Sequence, residues 1–264
     1  MQQHPFYGMA CAALGAGVRY YRLGNGQDCA GHALVLLRHW PMLGTFALMS
    51  RGPVFAHELS AAERREATRS LIRVLSRRYR GVMATAERID GLDPLEVCGL
   101  LPMVSPGSVA RLVLTGDAEH LRKRAHGKWR NRLVRAEGAG LEVQISSLPL
   151  QRDHWLLKAE MTQARTRRYR RLPPEFTLAW AARAGREATR LFTARHEGKI
   201  VAAMLFLTHG RSGNYHIGWS GDEGRKTHAH TLLLWKAAEW FAARGYTSLD
   251  LGTLDTERSP GLAR

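Results

Sequence analysis

Asn214-Tyr215-His216-Ile217-Gly218-Trp219-Ser220 runs directly into Gly221-Asp222-Glu223-Gly224-Arg225-Lys226-Thr227-His228, and a long helical pattern follows to about Arg244. This stretch decides the fold, because it joins a short strand pattern to a helix through a turn carrying two glycines and two cations. Upstream, Arg190 to Arg195 reads as a strand, Gly198-Lys199 as a tight turn, and Ile200 to Leu207 as a second strand. That second strand is apolar on both faces, which places it centrally. Ser212-Gly213 makes the next turn, Gly245 ends the helix, and Thr247 to Leu251 gives a last strand. The order is three strands, a glycine-bearing loop over 221–226, a helix and a strand.

Working toward the N-terminus, the spacing predicts helices over 152–169 and 174–184, parted by Leu172-Pro173-Pro174, and a strand over 141–146. Residues 118–137 read as one helix with seven basic residues from Arg122 to Arg135 and no acid among them. Before it lie a strand at 109–114, a loop with three prolines over 90–106 and a strand at 82–86. Ser60-Ala-Ala-Glu63 is a capping box that opens a helix to about Tyr79. Strands are expected at 32–39 and 43–49, and a short helix begins at Pro5. The two halves repeat a loose order of elements, so the boundary is set at 117/118. The expected class is α/β (α+β), with lobes 1–117 and 118–264, each a mixed, mostly antiparallel sheet flanked by helices.

Composition narrows the function. Cys11, Cys29 and Cys98 are too few for a disulfide framework, and none forms a C-x-x-C. The opening Met1-Gln-Gln-His-Pro5 lacks the basic start of a secretory leader, and no run approaches the roughly 20 apolar residues that span a bilayer. The expectation is a cytoplasmic protein without a transmembrane segment. The formal net charge is +16, which draws anionic partners such as tRNA or the phosphates of a carrier. Arginine outnumbers lysine 33 to 6, a bias that genome composition alone would also produce.

Three stretches carry a family resemblance. Lys128-Trp-Arg-Asn-Arg132-Leu-Val-Arg135-Ala-Glu137-Gly138-Ala-Gly140-Leu-Glu-Val143 resembles the interdomain helix of the FemAB-like branch of the GNAT superfamily. Gly245-Tyr246-Thr-Ser-Leu-Asp250-Leu-Gly252 resembles the Gly-x-x-x-x-Asp-Leu-Gly ending of that group, and His4-Pro-Phe-Tyr7 is similar to its opening. The resemblance implies two GNAT-like lobes in a bacterial protein, with transfer of an acyl or aminoacyl group to an amine. The donor it implies is acyl-CoA or aminoacyl-tRNA; the acceptor is a small-molecule or peptidoglycan-precursor amine. The usual pyrophosphate signature, Arg/Gln-x-x-Gly-x-Gly/Ala, is not spelled out, which leaves room for the tRNA donor.

Candidate residues follow from that chemistry. A donor cradle is expected at Gly221, Gly224, Arg225, Lys226, Thr227 and His228, with Thr227 as helix N-cap; an ordinary capped turn would carry the same residues. Amine acylation needs a base, donors for an oxyanion and an acid. His216 is the first choice for base, Tyr215 for acid, and Asp250 for orientation. Strict alternation places Asn214, His216, Gly218 and Ser220 on one face of their strand, and Tyr215, Ile217 and Trp219 on the other. Arg165-Thr-Arg-Arg168-Tyr169-Arg-Arg171 is suited to a phosphate or carboxylate, and Arg168, Tyr169, Trp219 and Ser220 are the substrate candidates. No metal is expected, since His228 and His230 do not share a helix face. The competing reading is a non-catalytic basic binding module on a transferase fold.

Overall fold

The computed structural model describes residues 1–24, 29–56, 59–89, 91–105, 107–114 and 116–254. The chain divides into two compact units, Met1–Ser105 and Pro106–Arg264.

The first unit holds α1 (Pro5–Ala13), β1 (Gly17–Leu23), β2 (Gly31–Trp40), β3 (Gly44–Met49), β4 (Val54–Phe55), α2 (Ala61–Arg78) and β5 (Gly81–Ala84). Its sheet runs β1-β2-β3-β5, with β4 against β2. β3 and β5 are parallel, and α2 makes the crossover between them. The capping box forms as expected: Ser60 Oγ accepts from the Glu63 amide, and Glu63 Oε2 accepts from the Ser60 amide at 2.7 Å. From that start α2 lays Leu71, Ile72 and Leu75 onto Ala33, Val35, Ala47 and Met49. β1 lies outside the strands that patterning predicts, because Gly-Val-Arg-Tyr-Tyr-Arg-Leu shows no alternation. It is an edge strand that pairs with β2 alone among the described residues, and its mixed sequence suits an edge.

The second unit holds β6 (Ser108–Val113), α3 (Ala118–Arg124), α4 (Gly127–Glu137), β7 (Glu142–Ser146), α5 (Trp155–Arg167), α6 (Pro174–Ala184), β8 (Thr189–His196), β9 (Lys199–His209), β10 (Ser212–Ser220), α7 (Asp222–Lys226), α8 (Ala229–Ala242) and β11 (Ser248–Leu254). The sheet order is β6-β11-β10-β9-β8-β7. β9 is central and buried along nearly its whole length, as its two-faced apolar sequence predicts. α8 packs Leu233, Ala237 and Phe241 on one sheet face, against Phe192, Met204 and Phe206. On the other face Leu156 and Leu157 of α5 meet Leu191, Leu205 and Ile217.

The structure corrects three expectations. β6 pairs with β11, so strand 108–113 belongs to the second sheet and the boundary falls earlier than 117/118. Residues 118–137 form two helices, because His126 turns its Nδ1 onto the Lys128 amide and caps a fresh start at Gly127. The glycine-bearing loop is itself a helical turn, α7. Asp222 and Glu223 at its start and Arg225 and Lys226 at its end suit the helix dipole at both poles.

Phe241 is fully buried and meets Phe192, Phe206, Trp240 and Tyr246. Phe241→Ala should therefore cost about 3–5 kcal/mol. A shift in the denaturation midpoint, followed by tryptophan fluorescence, checks the size of the loss.

Candidate active site

The site begins where two strands part. β10 and β11 are parallel neighbours only over Ser212–Ser248, Gly213–Leu249 and Asn214–Asp250. Beyond Asn214, β10 continues to Ser220 with β9 as its one neighbour among the described residues, while β11 continues to Leu254 against β6. Each strand carries a bulge just past the last shared pair, between Tyr215 and Ile217 in β10 and between Asp250 and Gly252 in β11. Bulges bend a strand and increase its twist, so two of them at one level separate the pair. Asp250 Oδ1 accepts from the Gly252 amide at 2.9 Å, and Gly252 takes the positive φ that the bend requires. At the same level Asn214 Oδ1 accepts from His209 Nε2 at 2.9 Å. Asn214 and Asp250 are 8% and 6% exposed, so the apex of the opening is built from buried polar groups that are bonded locally.

The β10 bulge rewrites the expected faces. His216 is the inserted residue, so it and Ile217 both lie on the α5–α6 face with Trp219, while Tyr215, Gly218 and Ser220 lie on the α8 and α7 side. His216 Nε2 is hydrogen-bonded to Thr177 Oγ1 at 2.7 Å, and its ring lies beside Phe176. Burial pushes its pKa down to about 4, so the ring is neutral at pH 7. His216 and Tyr215 are not brought together.

Tyr215 packs on Phe206, and its hydroxyl sits over the Cα of Gly218, where any Cβ would collide with it. No hydrogen bond reaches that hydroxyl among the described residues. Burial, reinforced by Glu160 and Tyr169, pushes its pKa up to about 12, which keeps the phenol protonated. The Gly218 carbonyl accepts from Gln163 Nε2 at 3.0 Å, and the same nitrogen donates to Tyr169 Oη at 3.0 Å. Tyr169 in turn donates to Glu160 Oε2 at 2.8 Å. Nearby, His230 of α8 donates from Nε2 to the Trp219 carbonyl at 2.9 Å. Of the predicted residues, Tyr169 belongs to this chain of bonds and Tyr215 lies within its electrostatic reach; sequence reasoning missed Glu160, Gln163 and His230. An acid and an amide three residues apart on α5 were the available signal, but helical spacing does not separate them from a solvated face.

The other candidates fall around this centre. Arg168, exposed, ends α5 with a positive φ, and Trp219 meets Trp155 edge to face at 5.4 Å between centroids. Thr227 is not a helix N-cap: its hydroxyl donates back to the Glu223 carbonyl at 2.8 Å, and His228 precedes α8 without a capping side chain. Arg225 pairs with Asp222 and donates to the Ser220 carbonyl, while Lys226 lies 3.9 Å from Glu223. The cradle cations are thus partly neutralised by acids of the same turn. Gly224 approaches the Val201 carbonyl so closely that a side chain there would collide with it, which seats α7 against β9. Among the described residues, no group of three His, Cys, Asp or Glu could hold a metal, and no helix is long and apolar enough to cross a membrane.

The sequence profile of the Acetyltransferase (GNAT) domain matches residues 122–258, just over half of the chain, and the chain belongs to that family. The fold is that of FemX, whose crystal structure matches with a TM-score of 0.76 at 13% identity, over 97% of this chain and 84% of that one. L-PGS from Bacillus licheniformis matches with a TM-score of 0.53 at 16% identity, over 91% and 70% of the two chains. A tandem GNAT protein from the clavulanic acid biosynthesis pathway gives 0.52 at 14% identity, over 94% and 77%. No curated protein sequence matches the chain.

Gly218→Ala should lose about 1–3 kcal/mol of stability, because the new methyl must displace the Tyr215 hydroxyl; thermal unfolding measures it. The folded pKa of His216 lies below the ordinary 6.5, so the unfolded chain protonates first. Its contribution to stability is then complete above pH 6.5 and is lost as the pH falls toward about 4. The His216 ring signals in NMR should stay in the neutral position across that window.

Proposed function

We propose that this protein is an N-acyltransferase that moves an acyl or aminoacyl group from a phosphate-bearing carrier to an amine, in the cytoplasm. The observation that carries the reading is the parting of β10 from β11 beyond Asn214 and Asp250, which leaves residues 215–220 with a strand on one side only among the described residues. An extended, amide-bearing arm adds to such an edge as a further strand would. The strand ends at Ser220, Gly221 precedes α7 and gives its amide to the Val201 carbonyl, and α8 begins after His228; the first amides within each helix lack an intrahelical partner, which suits an anion. Donor phosphates are assigned to Gly221, Gly224, Arg225, Lys226, Thr227 and His228, with the Asp222 and Glu223 pairs opening as they bind.

The carrier's carbonyl then lies beside Tyr215. Its protonated phenol donates to the developing oxyanion and supplies a proton to the leaving group. Asp250 shapes the apex through Gly252 and is a positioning residue. His216, on the opposite face, braces α6 through Thr177.

An aminoacyl-tRNA donor is favoured over acyl-CoA by one feature. Arg165, Arg167, Arg168 and Arg170, together with Lys128, Arg130, Arg132 and Arg135 of α4, make no ion pair among the described residues. Exposed unpaired cations of this number suit a polyanion better than one pyrophosphate. The resemblance to FemAB-like transferases points the same way and suggests a peptidoglycan-precursor amine as acceptor.

The test is donor binding by the purified chain. Acetyl-CoA or a total charged tRNA fraction should raise the melting temperature. With tRNA the affinity should fall steeply as salt rises, roughly tenfold or more between low and physiological salt. Binding of neither donor would favour the non-catalytic module instead.

A further inference from the structure

Glu160 is only 7% exposed, yet it forms no ion pair among the described residues. Its single hydrogen bond is the one that Oε2 accepts from Tyr169, and Oε1 accepts none. A carboxylate largely withdrawn from water, with Arg167 and Arg171 near but not paired to it, is costly, and perturbed carboxylates of this kind cluster at functional sites. It lies on the α5 face turned toward the open stretch of β10: Glu160, Tyr169, Gln163 and the Gly218 carbonyl form one hydrogen-bonded chain, and Tyr215 covers the same glycine.

We infer that Glu160 is the seat of the acceptor amine, holding its ammonium group through the unpaired Oε1 and taking up the proton that frees the nitrogen to attack. The inference rests on the acyl-transfer reading and adds to it the residue that selects and activates the acceptor. The substrate class is a primary amine that is cationic in solution, small or slender enough at that end to pass Tyr169, which is 37% exposed. The ammonium gives one proton to Glu160, and the nitrogen forms its bond to the carbonyl carbon as the carbon–sulfur or carbon–oxygen bond to the carrier breaks. The second proton leaves the nitrogen for the departing group, relayed by Tyr215, and Glu160 returns its proton to solvent.

The surroundings tune this carboxyl. Burial raises its pKa above the ordinary glutamate value, against the hydrogen bond from Tyr169 and the nearby Arg171 and Arg167, which lower it. Tyr215 from β10 and His230 from α8 complete the titratable groups about the site; burial keeps the first a neutral phenol and lowers the pKa of the second. With the folded pKa raised, stability is highest at low pH and falls as the pH rises past the unfolded value.

Glu160→Gln keeps the shape and removes the charge. In the full chain, with acetyl-CoA or the charged tRNA fraction as donor and a panel of primary amines from ethylamine to lysine, it should lower turnover about 100-fold or more. Donor affinity should stay within about twofold, and the rise of kcat/KM with pH should disappear. Its melting temperature at neutral pH should equal or exceed that of the wild type, since an unpaired buried charge is gone. Glu160→Asp, which keeps the charge, should recover part of the rate. A donor-binding wild type that transfers to amines while Glu160→Gln does so within about fivefold overturns this inference alone. The inference also fails if Glu160→Gln melts well below the wild type and Glu160→Asp restores stability without rate. A wild type that binds neither donor removes the transferase reading and this inference with it.

Discussion

The parallel pairing of β10 with β11 lasts for three residues on each strand and then stops, and the rest of the second unit is arranged around that stop. Neither strand is free to follow the other. β10 is held by β9 along its length, and β11 is held by β6, so the bulges at His216 and beyond Asp250 drive them apart without unravelling either. A sheet ordinarily hides its backbone donors and acceptors in the ladder; here a stretch near its middle lacks a second strand among the described residues, and the Gly218, Trp219 and Ser220 carbonyls accept instead from the side chains of Gln163, His230 and Arg225. The opening lies within the part of the chain that matches the GNAT domain, and it is locked at its apex by the Asp250–Gly252 and Asn214–His209 bonds.

The polar groups near the opening divide into two kinds. Asn214, Asp250, Thr177 and His216 are bonded to neighbours. Tyr215, partly buried, and Glu160, 7% exposed, keep hydrogen-bonding capacity that no neighbour among the described residues uses. The distinction matters because a titratable residue is not thereby a reactive one. His216 is a neutral ring whose Nε2 is engaged by Thr177, whereas Glu160 keeps a carboxylate oxygen without a hydrogen-bond partner among the described residues.

The charge of the chain is similarly uneven in meaning. Near α7, arginine and lysine are answered by Asp222 and Glu223 within the same turn. On α4 and at the end of α5, as at Arg73, Arg77 and Arg78 of α2, they make no ion pair among the described residues, and there the net charge translates into capacity for an anionic partner.

Local sequence determined a good deal: the order of elements from 189 to 254, the central place of β9, the capping box of α2 and the helix 174–184. These rest on periodicity, turn chemistry and caps, which act over a few residues. The family resemblance was legible for the same reason, being carried by short contiguous motifs. What only the tertiary structure decided was the inversion of faces in β10, the joining of β6 to the second sheet, and the site around Glu160. A bulge adds one residue without changing composition, so alternation could not show it. The bond from Gln163 to Gly218 spans 55 residues of sequence, and the burial of Glu160 exists only once α5 is packed against β10.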